Sequence, residues 1–150
     1  MTDVSDKHKW IAVDLDKTLA YYESGDYDKY GALYIGPPLS MMVQKVKLWL
    51  LEGKIVKVFT ARVAPPHDTP LDLVVNAIQN WTEKHIGVRL PVTCVKDRNC
   101  EIIYDDRAMQ ILANRGITKA EEMNAFMQHM DNCLTGKTDM FGNPLPQDEE

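Results

Sequence analysis

The stretch that decides the fold is Trp10-Ile11-Ala12-Val13-Asp14-Leu15-Asp16-Lys17-Thr18-Leu19, four apolar residues that run into two acids one residue apart. A short unbroken apolar run that stops at a polar residue reads as a strand buried on both faces, as in a parallel sheet. Outward from it, residues 54–60 (KIVKVFT) form a second, β-branched run that ends at Thr60. Two more follow: residues 92–95 (VTCV), ending beside Lys96, and residues 101–104 (EIIY), ending at Asp105. Each predicted strand therefore stops at a residue able to do chemistry.

The segments between the strands carry helical periodicity. Leu39, Met42, Val43, Val46, Trp49 and Leu50 recur at three- and four-residue spacing, with Ser40 near the start and Gly53 just past the end, which predicts an amphipathic helix. Next, Thr69 can cap a helix with Pro70 at its first position, and Leu71, Val74, Val75, Ile78, Trp81 and His85 share a face before Gly87. A further helix is expected after Asp105, carrying Met109, Ile111 and Leu112 to Gly116, and a last one from about 119 to 133, with 134–150 as a tail. Strands alternating with helices imply an α/β fold with a central parallel sheet and right-handed crossovers, whose ligands sit at the carboxyl ends of the strands.

One connection is too long for this scheme. Residues 19–38 join the first strand to the first helix, where an ordinary βα loop takes about 2 to 6 residues, and they hold five of the six tyrosines. The reading is a flap built as a small hairpin; the plainer alternative is a surface ornament or subunit contact with tyrosines as anchors.

With 150 residues the chain suits one domain, 1–150, able to bury its own core. Hydrophobic residues at 45% and charged residues at 26% argue against disorder, a collagen repeat or a coiled coil. The net charge is −5, and Asp148, Glu149 and Glu150 supply three of the acids, so the remainder is nearly neutral. With no basic stripe, affinity built on neutralising many nucleic-acid phosphates is disfavoured, although a nucleic-acid end remains open as a substrate. Cys94, Cys100 and Cys133 lack metal-site spacing and read as reduced thiols. The polar start MTDVSDKHKW lacks the apolar stretch of a signal peptide, and no apolar run approaches membrane-spanning length, so the expectation is a cytoplasmic protein without a membrane partner.

Asp14 and Asp16 put two carboxylates at one strand end, a costly arrangement unless a cation, a donor network or a shared proton compensates. A magnesium ion would do so, with Asp105 or Asp106 as a third carboxylate. An acidic helix cap is the plain reading of an isolated pair of this kind. Here four strand ends present, in order, DxDxT at 14–18, Thr60, Lys96 and Asp105-Asp106, and with that conjunction the sequence resembles the haloacid dehalogenase superfamily of phosphotransferases.

The resemblance covers roughly 10–116 and implies a Rossmann-like three-layer fold with a small flap after the first strand, the minimal-cap form of that family. It also implies roles. Asp14 is similar to the nucleophile that forms an aspartyl-phosphate with one oxygen on the metal, and Asp16 to the general acid and base whose carbonyl helps hold the metal. An acid at position 16 suits phosphate transfer better than dehalogenation, because halide leaves without a proton. Thr60 matches the hydroxyl donor to the phosphoryl group, Lys96 the charge-balancing lysine, and Asp105 and Asp106 the metal-binding acids, Asp105 first because it is nearer the strand end. Arg62 is a candidate contact to phosphate or substrate, and Thr18 a support of the metal loop. Lys17 stands where the family often has glycine.

The expected activity is thus a magnesium-dependent phosphomonoester hydrolase. A nucleotide or polynucleotide-end phosphatase, a phosphotransferase to another acceptor, and a non-catalytic module that binds through its flap are the alternatives. The minimal cap implies an open site, suited to a bulky substrate or to a homo-oligomer whose neighbouring subunit covers it.

Overall fold

A computed structural model describes residues 7–146; the polar residues before Lys7 and the acidic end at 148–150 lie outside the described residues. The chain forms two compact units, Met1–Ala108 and Met109–Glu150.

The first unit holds a four-stranded, all-parallel sheet in the order β3-β2-β1-β4. Its strands are β1 (Trp10–Val13), β2 (Ile55–Phe59), β3 (Val92–Thr93) and β4 (Cys100–Tyr104). β1 is buried along its whole length, as its unbroken apolar run requires. It pairs on one edge with β2, Trp10 opposite Ile55 and Val13 opposite Val58. On the other edge it pairs with β4, with an irregularity between Trp10 and Ile11.

Helices α2 (Ser40–Leu51) and α3 (Leu71–Ile86) connect β1 to β2 and β2 to β3. Both crossovers step the same way along the sheet, so right-handedness puts both helices on one face, where they touch each other. Val43 and Val46 of α2 and Val74, Ile78, Trp81 and Ile86 of α3 enclose the core with Ile11, Val13, Val56 and Val58. The buried face of α3 differs from the predicted one: Leu71 is exposed, Thr82 is wholly buried, and His85 lies against the Trp81 ring. The helix also starts one residue later, at Leu71 with Pro70 in the capping position and no side-chain cap from Thr69. Gly87 ends it in the left-handed conformation, at φ 103°, as its position predicts.

The flap is not a hairpin. A single pair of residues, Ala20 and Pro38, bridges its base, with Tyr21 N–H donating to Pro37 O at 2.8 Å. Its middle is a short helix, α1 (Asp26–Tyr30), bounded by Gly25 and Gly31 at positive φ. Asp26 and Asp28 in the first turn and Lys29 in the last complement the helix dipole, and the Asp26 carboxylate accepts from Glu23 N–H, so local charge and turn chemistry favour a helix over strand pairing.

The second unit holds α4 (Lys119–Leu134), which starts in a capping box: the Thr118 hydroxyl accepts from Glu121 N–H and the Glu121 carboxylate from Thr118 N–H. The helix expected through Met109, Ile111 and Leu112 is absent. Residues 111–118 instead form a tight turn, with Leu112 N–H bonded to Ile117 O and with Asn114 and Gly116 left-handed. Asn and Gly accept that conformation readily, and this turn outweighs the helical spacing before it. The segment after α4 is likewise folded, around an Asp139 carboxylate that accepts from Phe141 and Asn143 backbone N–H groups. No helix among the described residues is long and apolar enough to cross a membrane.

The flap base tolerates no side chain at Gly36. A Cβ there would lie 1.8 Å from the Tyr21 carbonyl oxygen, while Gly36 O accepts from the buried Trp81 indole at 2.9 Å. Gly36→Ala is expected to cost about 1–3 kcal/mol, read as a lowered thermal unfolding midpoint; a parental midpoint would show that the flap base moves aside freely.

Candidate functional site

The carboxyl ends of β1, β2 and β4 meet in a cavity of about 420 Å³. Asp14 is the first residue beyond β1, held there by its N–H, which donates to Tyr104 O at 2.9 Å. The chain then turns tightly, with Leu15 O accepting from Leu19 and Ala20 N–H groups at 2.9 and 2.8 Å. Leu15 and Leu19 are wholly buried, each worth about 1.5–3 kcal/mol, and they pin the loop from below. Between them Lys17 adopts a left-handed φ of 67°, the conformation that favours glycine at this place, and its side chain lines the cavity. The buried Thr18 hydroxyl has no hydrogen-bond partner among the described residues.

At the end of β2 the buried Thr60 is tied by its N–H to Thr93 O at 2.9 Å. Its Oγ1 accepts from Arg62 N–H at 3.2 Å and so caps the short 3-10 turn Ala61–Val63. The hydroxyl proton stays available for donation into the cavity. At the end of β4, Asp105 accepts from Arg107 N–H at 2.7 Å, an Asx turn that aims the carboxylate back toward β1.

Asp14, Asp105 and Asp106 each offer a carboxylate oxygen, and the three atoms lie within 4.8 Å of one another. Burial, and then the Asp105 charge, push the Asp14 carboxyl up to about 7, with smaller contributions from Asp106 and Asp16; a bond from Leu15 N–H opposes them. An all-oxygen, multiply anionic donor set of this kind fits a hard divalent cation, which would relieve that repulsion.

Asp16 stands apart from this trio. Both of its oxygens accept from Arg62, Oδ2 from Nε and Oδ1 from Nη2, each at 2.7 Å. The third nitrogen, Nη1, donates to the flap carbonyls of Tyr34 at 2.7 Å and Ala32 at 3.1 Å, and the guanidinium lies 5.9 Å from the Tyr22 ring centre. One side chain thus fastens the flap to the loop after β1. The planar fork of arginine suits this three-way task, and lysine could not perform it.

Of the residues expected from sequence, Asp14, Asp16, Thr60, Arg62 and Asp105 line the cavity and Asp106 joins the acidic trio. Lys96 is not brought to them. It is exposed, and its charge acts on Cys100 at the opposite end of β4. The cause is the brevity of β3: Thr93 Oγ1 accepts from Val95 N–H, the chain turns, and by Asp97 it has reached the base of β1, where Asp97 accepts from the Trp10 indole at 2.9 Å. The cations that line the cavity beside Arg62 are Lys17 and Arg107. The position of Lys17 inside the DxDxT string marks it; for Arg107 the sequence suggests pairing with the neighbouring acids, and no such ion pair occurs among the described residues.

No family model and no curated protein matches the chain. A solved structure, described as that of a conserved protein from Bacteroides thetaiotaomicron, is similar at 18% identity with a TM-score of 0.44, over 80% of this chain and 89% of that one.

The raised Asp14 carboxyl has a consequence for stability. Its contribution is complete below the unfolded-state value of 3.8 and is lost as pH rises from about 4 through about 7. Without divalent cation, the unfolding midpoint is expected to fall over that interval, and Asp14→Asn to flatten the fall and exceed the parent above pH 7. Millimolar magnesium is expected to raise the parent midpoint at pH 8 and leave the variant largely unmoved. Equal pH profiles for the two proteins would show that Asp14 is not under this repulsion.

Proposed function

We propose that the protein is a magnesium-dependent phosphomonoester hydrolase of the haloacid dehalogenase type, with a minimal cap. The observation that carries the reading is the meeting of Asp14, Asp105 and Asp106 within 4.8 Å at the ends of two adjacent parallel strands, beside the buried Thr60 hydroxyl. A structural acidic cap would need neither the third acid nor the hydroxyl.

In this reading an Asp14 carboxylate oxygen attacks phosphorus: the Asp14 O–P bond forms, the ester P–O bond breaks, and the leaving oxygen takes a proton from Asp16. Water then attacks the aspartyl-phosphate, its proton passes to Asp16, and Asp14 and inorganic phosphate are released. Asp14, Asp105 and Asp106 would hold the magnesium ion, which when bound supplies positive charge against the carboxylates and the phosphoryl oxygens. Thr60 donates to a phosphoryl oxygen, and Lys17 and Arg107 carry the charge balance within the cavity.

Arg62 has a positioning role. With both Asp16 oxygens accepting from it, Arg62 fixes the orientation of that carboxylate beside the cavity. An entering phosphoryl dianion would compete for the same guanidinium and loosen its hold on Asp16 and on the flap.

Phosphate release from a panel of phosphomonoesters, with and without magnesium, tests the reading. Asp14→Asn is expected to reduce turnover to background while the fold persists. Asp16→Asn is expected to slow esters with poor leaving groups by about 10²–10⁴-fold and to spare p-nitrophenyl phosphate by comparison. Parental rates from Asp14→Asn would overturn the nucleophile.

A further inference from the structure

Residues 22–34 of the flap are held to the rest of the first unit by very little. None of them is buried, and their backbone hydrogen bonds run within the segment: Glu23 N–H to the Asp26 carboxylate, Lys29 N–H to Gly25 O, Gly31 N–H to Tyr27 O and Tyr34 N–H to Gly31 O. Tyr27 and Ala32 share a cavity of about 250 Å³ with Pro66 and His67, so open space lies where close packing would otherwise retain the flap. The tie is Arg62. Its Nη1 donates to Ala32 O at 3.1 Å and to Tyr34 O at 2.7 Å, and its guanidinium lies 5.9 Å from the Tyr22 ring centre.

The bonds on that guanidinium are unequal. Nε and Nη2 hold the Asp16 carboxylate, and such charge-assisted bonds are about twice as strong as those to neutral acceptors. The flap carbonyls are the neutral partners. A phosphoryl oxygen that enters the cavity lined by Arg62 therefore replaces the carbonyls before it displaces Asp16. Charge acts in the same direction, since 22–34 carry Glu23, Asp26 and Asp28 against Lys29 alone, and an anion in the cavity repels them. Resting on the hydrolase reading for the identity of the anion, the geometry points to Arg62 as an anion-released latch: phosphoryl binding lets residues 22–34 lift, where a lid of the ordinary kind closes on its ligand. Departure of phosphate re-forms the two carbonyl bonds and returns the flap.

Trypsin reads the release, because Lys29 is the one lysine or arginine in 19–38 and cleavage after it follows the population of the lifted flap. Arg62→Ala is expected to speed that cleavage roughly tenfold to a hundredfold, the loss of two hydrogen bonds. Arg62→Lys, which keeps the charge and one nitrogen, is expected to speed it as well, and serves if the alanine variant does not fold. Millimolar inorganic phosphate with magnesium is expected to speed cleavage in the parent and to leave both variants unmoved, which also controls for effects on trypsin. Parental cleavage rates in the variants would overturn the latch. Phosphate that slows cleavage in the parent, or leaves it unchanged, would overturn the release, and with ester hydrolysis intact that failure belongs to the latch alone. Phosphate-accelerated cleavage in a protein that hydrolyses no ester would support the latch and count against the hydrolase.

Discussion

The site depends on the full burial of β1 between β2 and β4. Four apolar residues are hydrogen-bonded on both edges and covered by side chains, so the strand cannot shift without exposing its core side chains to water. That rigidity delivers Asp14 to a place where Asp105, arriving on the neighbouring strand, is unavoidable. Mutual repulsion of the acids is therefore a product of sheet register, and the loss of solvent at the end of a buried strand amplifies it. The sheet invests stability in holding charges together, the condition under which a bound cation would be favourable.

A second constraint acts across this one. The Arg62 guanidinium uses its whole fork, two nitrogens on Asp16 and one on two flap carbonyls. The pair is largely shielded, with 15% and 24% of the two side chains accessible, so it is stronger than an ordinary surface ion pair and is lost as a unit when one partner goes. Because one guanidinium holds both the flap and Asp16, displacing either disturbs the hydrogen bonds of the other. Thr60 adds a further link: its hydroxyl oxygen caps the turn that sets the direction of Arg62.

The sheet was legible in the sequence because the buried strand Trp10–Val13 is written as an unbroken apolar run, while Ile55–Phe59, interrupted by Lys57, is marked by its β-branched residues. The helices α2 and α3 were legible from spacing, and Asp14, Asp16, Thr60, Arg62 and Asp105 from their places just past strand ends. Three features were not. The helix in the flap depends on local charges within a segment that has no apolar period. The turn at 111–118 depends on two left-handed residues overriding a helical pattern. The displacement of Lys96 depends on how far β3 extends, and the four-residue run VTCV does not reveal that only its first two residues pair. Sequence periodicity reports burial, whereas strand length is decided by the neighbour that accepts the hydrogen bonds.

That short β3 has a consequence of another kind. It is an outer strand of the sheet, and an outer strand presents unpaired amide and carbonyl groups on which another chain can add by β-pairing. Two residues, followed at once by a Thr93-centred turn, offer almost no ladder to copy. The turn that carries the chain away from the site thus also closes this margin of the sheet to templated aggregation.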